Sequence, residues 1–244
     1  MNLLNGYASA FKPLPEALRV ELDPHLTQVR ARAGQTILAL GASSTSVYLV
    51  LEGRVQVAIY SLGGREIILR NLSVGAMFGE LAAIDERPRS ASIVALDPSV
   101  LASIPGAIFR KCVSASPDAA LWMMQRLSSQ VRDLTDKILE RNALRVTGRL
   151  HCELLRLCGS NHSGREHVEI SGFPTHAELA SRIGTNREAV SREMSYLQQQ
   201  GVASKRSEKT MVIDLSALTA LAQQSAGDFA AHILASAIDQ AKSD

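Results

Sequence analysis

"THAELASRIGTNREAVSREMSYLQQQGVASK", residues 175–205, carries helical periodicity on both sides of one glycine. Thr175 stands ahead of the first segment with Glu178 three positions on, the spacing at which a hydroxyl and a carboxylate cap a helix start reciprocally. Gly184 permits a tight turn between the segments. Ala180, Ile183 and Val190 are small or branched where two crossing helices must touch. The stretch therefore predicts a helix-turn-helix. The adjoining run "GVASKRSEKTMVIDL" (201–215) reads as a basic hairpin, which makes the motif winged.

The second helix, expected over "TNREAVSREMSYL" (185–197), puts Arg187 and Glu188 near its N-terminus and Arg192 one turn past Glu188. Arginine offers paired donors to guanine O6 and N7, and glutamate accepts from cytosine N4, so the three suit G·C pairs on a major-groove floor. Lys205, Arg206 and Lys209 on the wing, with Thr175, Ser181, Arg182 and Ser191, suit phosphates, which fix position without reading sequence. The same charges also fit an ordinary solvated helix face with a Glu188–Arg192 pair.

Upstream, "VTGRL" (146–150) leads into a helix to Cys158 and then a loop, "GSNHSGREHVEISGFP". A long helix is expected from Pro117, because Ala120, Met124, Leu127, Val131, Leu134 and Ile138 advance by alternating steps of four and three. That seam predicts a two-stranded coiled coil and hence a homodimer. Residues 28–104 alternate in "VYLVLEG", "RVQVAIY" and "REIILRNL", with Gly63-Gly64 between the last two, the mark of a hairpin-rich sandwich or roll flanked by helices near 15–22 and 105–112. The expected architecture is α+β. It comprises a β-rich domain over 1–116, a dimerisation helix over 117–145, a winged helix-turn-helix over 146–222, and a helical extension over 223–244 with Phe229, Ile233, Ala237 and Ile238 on one side.

At 244 residues and 46% hydrophobic, the chain can bury two cores. The net charge of +2 is unremarkable, but residues 141–222 hold eleven Lys/Arg against eight Asp/Glu. No stretch approaches the roughly 18 uninterrupted apolar residues of a membrane span, and the N-terminus lacks signal-peptide features, so a cytoplasmic protein is expected. Cys112, Cys152 and Cys158 form no C-x-x-C pair, which excludes a disulfide framework and a four-thiolate iron–sulfur cluster. No histidine lies between 26 and 150, which leaves His25 as a haem ligand at most. For an enzyme, "HCE" at 151–153 lacks the P-C-x-x-C of zinc deaminases, and neither G-x-S-x-G nor a Walker loop is present. No catalytic residue, cofactor or metal site is expected.

The stretch at 175–205 closely resembles the DNA-binding motif of the cyclic AMP receptor protein and fumarate-nitrate regulator family. The resemblance runs from about residue 20 to 222 in the family's order of roll, long helix, "VTGR" hinge and winged helix. It implies that Arg187, Glu188 and Arg192 read a TGTGA-like half-site, and that RNA polymerase is a partner. It also implies that "FGELAAIDERPRSAS" (78–92) is a phosphate-binding cassette. There Glu80 would accept from the ribose 2′-hydroxyl, and Arg89 would neutralise the cyclic phosphate. Ser90 and backbone amides around Gly79, Glu80, Leu81, Ala82 and Ala91 would bond its oxygens. The chemistry agrees, since a guanidinium meets a phosphodiester with paired donors and small residues let amides approach. Val57, Leu72 and Phe78 would supply apolar walls. Adenine-selective relatives meet the base with two hydroxyl residues of the long helix, where this chain has Leu134 and Thr135. Cyclic AMP is therefore the first expected effector and cyclic GMP the second. A constitutive DNA-binding regulator with a vestigial sensor or a non-nucleotide ligand is the alternative.

Overall fold

Runs such as Val55–Tyr60 pair as antiparallel strands because one face of each is apolar and can be buried only against a second sheet. The computed structural model describes residues 3–60, 66–158, 166–207 and 209–227. Two compact units divide it, Met1–Ser128 and Ser129–Asp244. Along the first unit run α1 (Leu3–Gly6), α2 (Ala8–Phe11), α3 (Glu16–Leu22), a 3-10 turn (Asp23–His25), β1 (Thr27–Ala31), β2 (Thr36–Leu38), β3 (Val47–Glu52), β4 (Val55–Tyr60), β5 (Glu66–Leu72), β6 (Met77–Phe78), α4 (Glu80–Asp85), β7 (Ser92–Ala95), β8 (Ser99–Ile104) and α5 (Gly106–Ala115). The α6 helix (Pro117–Ala143) begins here and continues into the second unit.

Two four-stranded antiparallel sheets, ordered β1-β8-β3-β6 and β2-β7-β4-β5, form the roll. One apolar cluster contains Leu38, Val50, Val55, Val57, Leu72, Phe78, Ile93 and Leu101. A second joins Phe11, Leu18 and Leu22 of the N-terminal helices to Phe109 of α5 and Met123 of α6, across β3 and β8. Gly63-Gly64 lies outside the described residues.

The second unit contains the rest of α6, then α7 (Val146–Cys158), β9 (His167–Ser171), α8 (His176–Ile183), α9 (Arg187–Gln199), β10 (Ala203–Ser207), β11 (Thr210–Asp214) and α10 (Leu215–Ala226). Its core collects Leu150, Leu154, Leu179, Val190, Leu197, Ile213 and Leu218, with Ala180 and Ile183 buried at the crossing of α8 and α9 as their small size requires.

Three local expectations need correction. Within the supposed loop, His167–Ser171 is a strand that alternates exposed and buried and pairs with β11, making a three-stranded sheet. The Val146–Gly148 stretch expected to bend is the first turn of α7, and the helical path breaks just ahead, at Leu144–Arg145. There Arg149 Nη1 donates to the Leu144 carbonyl (3.0 Å), satisfying an acceptor that the broken helix leaves open. Finally, helix after the wing starts at Leu215 rather than 223, capped by Asp214, whose carboxylate accepts from Ala217 N (2.9 Å). A Cβ at Gly148 would lie 2.9 Å from Ser225 Cβ, so glycine there allows α10 to pass close to α7. Residues 228–244, including Phe229, Ile233, Ala237 and Ile238, lie outside the described residues.

Candidate functional sites

In the first unit, β6 ends on Gly79, whose φ of +83° is the left-handed conformation that glycine adopts without strain. Gly79 is the N-cap of α4 and no side chain caps that helix, so its first-turn amides have no partner within the helix. Those amides belong to Glu80, Leu81 and Ala82.

Arg89 is only 4% exposed, and each of its three nitrogens donates to a protein acceptor. Nη1 donates to Gly79 O (2.8 Å), Nη2 to Ser46 O (2.7 Å) and Nε to Ser44 Oγ (3.2 Å). A Cβ at Gly79 would stand 2.8 Å from Arg89 Nη1 and 2.9 Å from Ser46 O, so glycine is required for the arginine to seat. Burial lowers the guanidinium's pKa, opposed by Tyr48 and then by Glu80. Glu80 is 2% exposed, a degree of burial at which a carboxylate must be electrostatically compensated.

Ser90 is exposed and Ala91 half-buried. Val57, Leu72 and Phe78 share one apolar cluster, and Tyr48 stacks on Phe78 with centroids 5.3 Å apart. Sequence reasoning missed Tyr48, Ser44, Ser46 and Arg126. Arg126 of α6 donates from Nη2 to Met77 O (2.7 Å), and its electrostatic neighbours are Glu80, which favours its charge, and Arg70, which opposes it. No spacing in the sequence marks these residues.

Leu134 is 53% exposed on α6, with Met124, Val131 and Ile138 at 58–62%, whereas Leu127 packs against the helical cluster of the first unit. The Thr135 hydroxyl donates to Val131 O (2.9 Å) in the turn before it.

In the second unit, Thr175 and Glu178 form the expected capping box. Asn186 caps α9, its side chain accepting from Ala189 N (2.9 Å), so the helix begins at Arg187 rather than at Thr185. Arg187, Glu188 and Arg192 are exposed, whereas Val190, Met194 and Leu197 are buried. Ser191 Oγ lies 2.8 Å from His176 Nδ1, a link between α8 and α9 that the sequence did not announce. Burial and then the Arg187 and Lys205 cations hold the His176 imidazole below the usual histidine range. Lys205, Arg206 and Lys209 are exposed, and Arg206 pairs with Glu169 on β9.

Polar side chains of α7 reach the neighbouring elements. Arg149 Nε donates to Ile183 O (3.0 Å), and His151 Nε2 lies 2.7 Å from Glu193 Oε1 on α9. Glu153 accepts from Arg182 on α8 (3.0 Å), and Arg156 pairs with Glu140 on α6. Burial pushes the Cys152 and Cys158 thiols up to about 12, so both are protonated and unreactive. Among the described residues no helix is long and apolar enough to cross a membrane.

A roll with a glycine-gated, arginine-containing cassette, followed by a long helix and a winged helix-turn-helix, defines a sensor joined to a DNA-binding module. The cyclic nucleotide-binding domain model matches residues 28–116, and the Crp-like helix-turn-helix domain model matches residues 148–221. The chain is 29% identical over 201 residues to the cAMP-activated global transcriptional regulator Vfr of Pseudomonas aeruginosa, covering 79% of this chain and 92% of that one. It is 29% identical over 183 residues to the cAMP-activated global transcriptional regulator CRP of Pasteurella multocida, covering 73% and 85%. A solved CooA mutant from Carboxydothermus hydrogenoformans has the same fold, with a TM-score of 0.72 at 20% identity over 91% of this chain and 96% of that one. The chain belongs to the CRP/FNR family of transcription regulators. Its matched domains and relatives are those of DNA-binding regulators, not of enzymes.

Proposed function

We propose that this regulator is a homodimer that binds a cyclic nucleotide in each roll and, when loaded, grips a near-palindromic DNA site with TGTGA-like halves. The observation that carries the effector assignment is the pair of buried opposite charges, Glu80 and Arg89, set about a glycine whose missing side chain is needed for Arg89 to seat. In this proposal the cyclic phosphate takes up Arg89, Ser90 and the amides from Gly79 to Ala82 and at Ala91, and Glu80 accepts from the ribose hydroxyl. Val57, Leu72 and Phe78 are the apolar walls. Leu134 and Thr135 of the long helix face the base.

The exposed seam of Met124, Val131, Leu134 and Ile138 supports dimerisation, since apolar side chains at this spacing are stabilised by a second copy of the helix. Two-fold symmetry sets the recognition helices on half-sites ~34 Å apart, a spacing taken from helix-turn-helix dimers in general. Arg187, Glu188 and Arg192 read bases. Lys205, Arg206, Lys209, Thr175 and Ser191 lie along the phosphates, and RNA polymerase is the further partner. Gating requires the nucleotide to bind the DNA-competent arrangement more tightly, because equal affinity for both states shifts nothing.

Calorimetry of the full chain with cyclic AMP and cyclic GMP, together with gel shifts on a TGTGA palindrome with and without each nucleotide, tests this. Heat on mixing and nucleotide-dependent retardation are expected. One observation favours a second possibility: each nitrogen of Arg89 already donates to a protein acceptor, as it would in a sensor that had lost its ligand. Nucleotide-independent retardation with no heat of binding would select that constitutive regulator.

A further inference from the structure

We propose that Arg70 is the base-reading residue of the effector site and selects a nucleotide edge made of acceptors, guanine O6 with N7, over adenine. This rests on the cyclic-nucleotide assignment above and concerns only which nucleotide is bound.

Strand register supplies the first support. In the β4–β5 ladder Val55 lies opposite Leu72 and Val57 opposite Arg70. Directly opposed residues share one face of a sheet, and Val55, Val57 and Leu72 belong with Phe78 to the cluster inside the roll. Arg70 is thus a cation on the strand face that carries the proposed apolar walls, where a branched apolar residue would be the ordinary choice. The ladder shifts register immediately beyond it, between Val57 and Ala58, so the strand is locally distorted at this residue.

Shared charge supplies the second. Glu80 acts on both Arg89 and Arg126, while Arg70 acts on Arg126 as a like charge. Arg126 is fixed to Met77 O, two residues before Gly79, yet its buried Nε has no hydrogen-bond partner. With the phosphate assigned to Arg89 and the ribose to Glu80, the cations left over for the base are Arg126 and Arg70. Three cations against one carboxylate leave positive charge that a single cyclic phosphate does not balance.

Chemistry then chooses the base. A guanidinium has donors only, presented as a planar fork. Guanine offers it two adjacent acceptors, whereas adenine places an amine donor where guanine has O6. Leu134, at a position where adenine-selective relatives have a hydroxyl, offers neither donor nor acceptor. A second phosphodiester would present the same acceptor chemistry from another source, so the test separates the two.

Calorimetric titration of the full chain with cyclic GMP, cyclic AMP and cyclic di-GMP, repeated on Arg70→Leu and Arg70→Lys, decides it. Wild type is expected to prefer cyclic GMP over cyclic AMP by about 5- to 150-fold, the worth of one bidentate base contact. Both variants are expected to lose that preference while retaining cyclic AMP affinity. Arg70→Lys keeps the charge without the fork, so it covers the case in which the leucine variant misfolds. Equal or tighter binding of cyclic AMP by wild type, or equal loss of both mononucleotides in the variants, overturns the proposal. Preferential binding of cyclic di-GMP that is lost in the variants assigns Arg70 to a second phosphate and overturns its base-reading role. Failure of wild type to bind any of the three overturns the nucleotide assignment itself, and this inference with it.

Discussion

Gly79→Ala makes two separable demands on the roll. Its φ of +83° places an alanine in the left-handed region, at about 1 to 2 kcal/mol. In addition the new methyl would meet Arg89 Nη1 at 2.8 Å and Ser46 O at 2.9 Å. Ser46 O is backbone and is itself held by Arg89 Nη2, so relief must come from loosening one charged hydrogen bond, about 1.5 to 3 kcal/mol. The sum is about 2.5 to 5 kcal/mol. At a urea slope of about 1 to 3 kcal/mol per molar, the denaturation midpoint should fall by about 2 M. Gly34 is the control, because its φ of +78° imposes the same strain while nothing lies within 4 Å of the added Cβ. Gly34→Ala should therefore lose only the first contribution. Equal midpoint shifts for the two variants would show that Arg89 is not rigidly seated, and the cassette geometry would fail as an explanation of the glycine.

The second unit yields further expected outcomes. Arg187→Ala should relax base preference at one half-site position at about 1 to 3 kcal/mol, measured by binding to a panel of singly substituted duplexes; uniform weakening across the panel would mark Arg187 as a phosphate contact. His176 has its pKa lowered in the fold, so it contributes stability that is complete above 6.5 and is lost as pH falls below that value. Urea midpoints between pH 7.5 and 5.5 should drop more steeply in wild type than in His176→Gln, and parallel curves would refute this. Arg156→Leu strands the buried Glu140 carboxylate and should cost about 3 to 5 kcal/mol, with much of the loss recovered in the Glu140→Leu double variant.

The sequence disclosed whatever was encoded locally. The Thr175–Glu178 box, the Gly184 turn and the burial of Val190 each depend on neighbours within a few positions, and spacing revealed them. His167–Ser171 has an equally local signature, strict alternation, but lies amid residues typical of loops and was absorbed into one. The seat of Arg89 was illegible for a different reason. Two of its three acceptors are the Ser46 carbonyl, 43 positions away, and the Gly79 carbonyl, and a backbone acceptor can belong to any residue type. Arg126 and Arg70 have no local pattern to distinguish them from solvated charges, and it is the fold that brings them into one field. The bonding of α7's polar side chains was likewise illegible, because their partners include residues on three other helices.

That distribution of α7's charges bears on how such proteins can be recombined. Glu140 lies within the second unit although it belongs to the long helix, and its carboxylate is the partner of Arg156. A chimaera joined at the break, Leu144–Arg145, would graft the DNA-reading module without the residue that neutralises its central arginine. The transplantable piece starts upstream of Glu140, so the natural seam for swapping modules lies inside the long helix rather than at the visible interruption after it.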